Sequence, residues 1–129
     1  MFAKVDYAMV NVSDMDRSVA FYRDVLGIPL RFDSPGWSEF ETGATTLALH
    51  LAPKAPPMAG PPAGPTAGSC SLGFSVEDLD RTVADLGARG ARFVMPPTDQ
   101  PEEGIRLAVC IDPDGMGISF AQALPRGDG

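Results

Sequence analysis

The 129 residues, 13.6 kDa in mass, are enough for one compact domain, and at 44% hydrophobic they can bury a real core. Seventeen acidic against ten basic residues leave a net charge of −7, which argues against nucleic acid and against anionic membrane surfaces, because both carry phosphates that would be repelled. No apolar run approaches the roughly 18 residues of a membrane span, Met1–Tyr7 carries Lys4 and Asp6 so that no signal peptide is expected, and Cys70 and Cys110 lack the spacing of a zinc site or a disulfide framework. A cytoplasmic location is the expectation, with the two cysteines as small buried hydrophobes.

In chain order, Tyr7–Val12 alternates and is rich in strand formers, which predicts a first strand. Met15, Val19, Tyr22 and Leu26 then fall on one helical stripe, with Ser13 or Asp14 as N-cap and Gly27 as stop. Short strands follow near Pro29–Asp33, Trp37–Thr42 and Thr45–Leu51, the last two joined by a turn at Gly43-Ala44. Residues 52–68 read APKAPPMAGPPAGPTAG, seventeen residues with six prolines, five alanines and three glycines. Such a run has no apolar face and few backbone donors, so it is predicted to be an exposed connector, with a lid over a cleft edge as the alternative. Beyond it Cys70–Val76 predicts a strand. Leu79, Val83 and Leu86 predict a helix capped by Asp78 and stopped by Gly87 or Gly90. Ala91–Met95, Ile105–Ile111 and Met116–Ala121 predict three more strands, with a hairpin turn at Asp112-Pro-Asp-Gly115.

The two halves repeat. Val12-Ser-Asp-Met-Asp-Arg-Ser-Val-Ala20 and Val76-Glu-Asp-Leu-Asp-Arg-Thr-Val-Ala84 agree at six of nine positions with an offset of 64, so the chain reads as two copies of one βαβββ unit, an α+β fold. The expected organisation is one domain of two modules, 1–51 and 69–124, with the connector at 52–68 and a tail at 125–129.

Strand alternation sorts side chains into a helix-facing set and a cleft-facing set. In the first module Ala8, Val10, Val12, Phe40, Leu47, Leu49 and Leu51 are expected under the helix, which leaves Tyr7, Met9, Asn11, Trp37, Glu39, Glu41, Ala48 and His50 for the cleft. In the second, Cys70, Leu72, Phe74, Val76, Ile105, Leu107, Val109, Ile111, Ile118 and Phe120 are expected inward. Ser69, Ser71, Gly73, Ser75, Arg106, Ala108, Cys110, Ser119 and Ala121 are then expected to form a cleft wall of mostly small residues. Trp37 reads either as an aromatic packed at a strand entrance or as a stacking platform. With Glu39 and Glu41 beside it, the platform would suit an amine. His50, the single histidine, reads either as an orienting residue beside Trp37 or as a general base or ligand hydrogen-bond partner.

FYRDVLGIPL after the first strand, the DPDG turn followed by GISFAQ, and the duplicated unit together resemble the vicinal oxygen chelate superfamily, which includes glyoxalase I, extradiol dioxygenases, fosfomycin-resistance enzymes and bleomycin-binding proteins. The resemblance covers nearly the whole chain. It implies a U-shaped mixed sheet with a concave ligand cleft, and a homodimer with clefts at or near the subunit interface. It also implies where a metal would be held. The matching positions are Tyr7, Ala48, Ser71 and Ser119, and these side chains cannot replace an imidazole and carboxylate set.

The chain is therefore expected to need no metal and no other cofactor, and to have no catalytic residue. It reads as a binder that sequesters an aromatic or cationic natural product, as in the bleomycin-resistance branch, giving antibiotic self-resistance by capture. The expected ligand contacts are Tyr7, Met9, Asn11, Trp37, Glu39, His50, Ser71, Arg106, Cys110 and Ser119. The alternative is a glyoxalase-like lyase or isomerase using His50 as acid–base group or an atypical metal site.

Overall fold

The computed structural model describes residues 4–52 and 69–125. The connector expected at 52–68 therefore lies, apart from Ala52, outside the described residues. The chain divides into two compact units on either side of it, and each is a βαβββ module, as the repeat predicts.

In the first unit β1 (Tyr7–Val12) leads into α1 (Met15–Ala20), and then β2 (Leu30–Phe32), β3 (Trp37–Thr42) and β4 (Thr45–Leu51) follow. The sheet order is β1-β4-β3-β2, with β1 parallel to β4 and the other pairs antiparallel. Asp14 is the N-cap, its carboxylate accepting the Arg17 backbone N–H at 3.1 Å. The helix does not run on as the apolar stripe predicts, for Phe21–Val25 widen into a π-helical turn whose closing N–H, from Leu26, donates to the Phe21 carbonyl at 3.0 Å. The wider turn keeps Tyr22 fully buried over Phe40 but takes Leu26 off the stripe and leaves it half-buried. Gly27 then reverses the chain at φ 76°, a left-handed conformation that glycine adopts without steric cost.

The second unit repeats the plan with β5 (Leu72–Ser75), α2 (Leu79–Ala88), β6 (Arg92–Gln100), β7 (Ile105–Ile111) and β8 (Gly117–Ala123), in the order β5-β8-β7-β6. Asp78 caps α2 as Asp14 caps α1. The helix ends at Ala88 and the chain turns at Gly90, at φ 103°, whereas Gly87 lies inside the helix. Two elements differ from expectation. β5 is shorter, so Cys70 is exposed and Ser69 and Ser71 precede the strand. β6 runs past Pro96-Pro97 to Gln100, with register shifts between Phe93 and Thr98. It is an edge strand, where a residue without an N–H removes no ladder bond.

Each core lies between helix and sheet. In the first unit Val10, Val12, Met15, Val19, Tyr22, Phe40, Leu47 and Leu49 are buried, and in the second Leu79, Leu86, Ala108, Cys110, Ile118 and Phe120. Leu51, expected among the first set, is 40% exposed at the strand end.

Candidate functional site

The hairpin register of β3 and β4 is the one that a two-residue turn dictates, pairing Trp37 with His50, Glu39 with Ala48 and Glu41 with Thr46. On the other side of β4, β1 pairs Asn11 with His50, Met9 with Ala48 and Tyr7 with Thr46. Paired residues project to the same side of a sheet. One face of the first unit therefore presents Asn11, His50 and Trp37 in one row, Met9, Ala48 and Glu39 in the next, and Tyr7, Thr46 and Glu41 in the third. The helix covers the opposite face, so this one is open: Tyr7 is 53% and Met9 46% exposed.

The central residue is small, and the flanking rings lean over it. Tyr7 and Trp37 meet edge to face at 6.0 Å between centroids, Trp37 and His50 at 6.2 Å, and Ala48 beneath is fully buried. A larger residue at position 48 would hold these rings apart.

The polar groups of the face are mostly paired with each other. The indole N–H of Trp37 donates to Glu39 Oε2 at 2.9 Å, and Arg31 donates to Glu39 Oε1 at 2.9 Å and to Thr46 Oγ1 at 2.7 Å. These two donors, the indole first, hold the Glu39 carboxyl below its usual range. Glu39 is thus an internal anchor for the Trp37 ring rather than a spare acid. Sequence reasoning missed Arg31. Its signal was position, on the strand next to Glu39 with opposite charge. His50 Nδ1 lies 3.2 Å from Asn11 Oδ1.

The second unit corrects the expected wall. Arg106, Ala108 and Cys110 face the helix, not the open side. Ala108 pairs with Phe120 and Cys110 with Ile118, and all four are buried. Arg106 reaches Asp80 on α2 at 3.0 Å and Asp99 on β6 at 2.9 Å, so its guanidinium straps helix to sheet, and these carboxylates raise its pKa. Burial pushes the Cys110 thiol up to about 11. The reading of Cys110 as a small buried hydrophobe holds, and its place in the cleft does not. The open face carries Ile105, Leu107, Val109 and Ile111 beside Ser119, Ala121, Gly73 and Ser75. It is an apolar surface, not one of small residues alone. Gly73 and Ser119 are opposed so closely that a Cβ on Gly73 would lie 3.0 Å from Ser119 Oγ.

The four positions at which the family resemblance places metal donors do not fit a metal. Ala48 has no donor and is fully buried, Ser71 lies before β5, and Tyr7 and Ser119 offer hydroxyls where an imidazole or a carboxylate is needed. Among the described residues no three His, Cys, Asp or Glu side chains cluster to hold an ion, and no described helix is long and apolar enough to cross a membrane.

The family model for the Glyoxalase/Bleomycin resistance protein/Dioxygenase superfamily matches residues 4–120. The chain is 31% identical over 119 residues to the uncharacterized protein YraH of Bacillus subtilis (strain 168), covering 88% of this chain and 93% of YraH. Its fold is similar to that of a glyoxalase/dioxygenase from Nostoc punctiforme, with a TM-score of 0.77 and 25% identity over 95% of this chain and 92% of that one. It is also similar to TnmS3, an antibiotic binding protein from Streptomyces sp. CB03234, with a TM-score of 0.73 and 27% identity over 95% of this chain and 97% of that one.

Proposed function

We propose, from the premise that this chain belongs to the Glyoxalase/Bleomycin resistance protein/Dioxygenase superfamily, that it captures a bulky, partly aromatic small molecule and releases it chemically unchanged. The observation that carries this reading is the aromatic lining of Tyr7, Trp37 and His50 over buried Ala48, on a sheet face whose family donor positions hold Tyr7 and Ala48 in place of an imidazole or a carboxylate. Flat rings supply large contact area at low conformational cost, and Met9 beside them adapts to irregular shape. The likeness to TnmS3, which is described as an antibiotic binding protein, supports the same reading. Capture of a toxic natural product would then give resistance without making or breaking a bond.

Trp37 is the only tryptophan, so its fluorescence reports this face alone. Titration with aromatic natural-product antibiotics is expected to give saturable quenching at one ligand per chain. The affinity should be the same with and without a chelator, and the ligand should be recovered intact after hours. Conversion of the ligand, or dependence on an added transition metal, overturns capture in favour of a glyoxalase-like lyase or isomerase in which His50 acts as acid–base group.

A further inference from the structure

We infer that the Trp37 face selects a neutral aromatic ligand bearing a hydroxyl, which donates its proton to Nε2 of His50. This rests on the capture reading and names the class of ligand for the same site. The Trp37 N–H is engaged by Glu39, so the indole offers a ligand its ring surface and no donor. Both Glu39 oxygens are engaged, one by Trp37 and one by Arg31, and Arg31 cancels the charge. A ligand ammonium could use only the lone pairs that these two bonds leave on Glu39, and would meet repulsion from the Arg31 guanidinium already bound there at 2.9 Å. The Glu41 backbone stands two rows away from that of Trp37 along β3, about 13 Å at strand spacing, and the Tyr7 ring occupies its row against the indole. The face next to the indole therefore offers a cation little.

His50 is different. The amide oxygen of Asn11 carries no proton, so the imidazole must supply the one shared with it at 3.2 Å. With the proton on Nδ1, a neutral ring leaves Nε2 as a bare acceptor. Among the described residues no donor bonds Nε2. It sits on the half-buried ring that meets Trp37 edge-on at 6.2 Å. An acceptor set at the edge of an aromatic wall is matched by a phenolic hydroxyl on a flat ring. A methyl ether of the same ring fills the same space and leaves the acceptor unpaired.

Two measurements test this. Because the chain has one histidine, long-range 15N–1H NMR reads its tautomer without assignment. The proton is expected on Nδ1, and a proton found on Nε2 overturns the inference. The second measurement compares 2-naphthol, 2-methoxynaphthalene and 2-naphthylmethylammonium by Trp37 fluorescence. The naphthol is expected to bind roughly 10-fold more tightly than the ether, the size of one hydrogen bond. That advantage should vanish in His50→Phe, which keeps an aromatic ring but no acceptor. Equal binding of naphthol and ether, or tighter binding of the ammonium, overturns the selectivity and leaves capture standing. Failure of all three probes to bind, up to their solubility limits, overturns the inference, while capture stands or falls on the antibiotic titration.

Discussion

The two sheets have the same strand order and grow from the same nine-residue signature, yet their open faces carry different chemistry. What repeats is the frame: an aspartate cap, Asp14 and Asp78, a helix that buries one stripe, and a parallel pair between the first and last strands of each unit. What differs is the side that no helix covers. In the first unit it is a ring cluster with an internal salt bridge, and in the second it is a band of Ile105, Leu107, Val109 and Ile111. The helix-facing side must fill a fixed space at near-crystalline density, so its residues are constrained. The open side need only be compatible with strand geometry, and it is there that a ligand can be chosen.

The largest expected effect tests the frame. Phe40 is fully buried against Tyr22, and Phe40→Ala should cost about 3–5 kcal/mol in urea unfolding. Leu107→Ala, on the open side of the other unit, should cost far less. Comparable losses would show that the open side is packed after all. Next comes the cysteine pair. With its thiol pushed to about 11, Cys110 should react with an alkylating agent at pH 8 at least about 100-fold more slowly than an ordinary thiol, while exposed Cys70 reacts freely. Mass spectrometry of the labelled protein decides, and fast labelling of Cys110 in the folded chain would return it to the open side.

Trp37→Ala should weaken ligand binding by about 1–3 kcal/mol with the fold intact by circular dichroism, and unchanged affinity would remove the ring cluster from the site. Asp14→Ala and Asp78→Ala should each destabilise by about 0.5–2 kcal/mol, and a similar cost at both would bear out the shared frame in energetic terms. The smallest effect concerns Glu39. Its carboxyl is held below the usual range first by the Trp37 N–H and then by Arg31. A carboxylate with a depressed folded pKa contributes stability that is present above its unfolded pKa and lost as pH falls through the folded one. Acid titration should therefore leave Trp37 emission steady through the ordinary glutamate range and change it only below. In Glu39→Gln that late step should be absent.

Most of the frame was legible in the sequence. β1, β3, β4 and β7 have the predicted bounds because their alternation and their bounding turns agree, and a two-residue turn leaves one register for β3 and β4. β8 faces as expected, with Ile118 and Phe120 buried, and the reversal of β7 follows from it in principle. Partners in a hairpin share a face, so Leu107 and Phe120 could not both lie inward when Ala108 is the residue opposite Phe120. Size alone points the bulky residues of β7 to the core, whereas the three rings of Phe74, Phe93 and Phe120 already fill that space and on β7 leave room for Ala108 and Cys110.

By itself, then, the sequence determined the duplicated βαβββ plan, the caps and the hairpin register of the first unit, because each of these depends on local periodicity or on the identity of a side chain. Only tertiary structure decided that Arg31 neutralises Glu39, that Arg106 straps a helix, and that Tyr7 and Trp37 close over Ala48. These are meetings between side chains on different strands and helices, where the choice of partner for a long side chain depends on which neighbour lies within reach, and a one-dimensional pattern does not record reach.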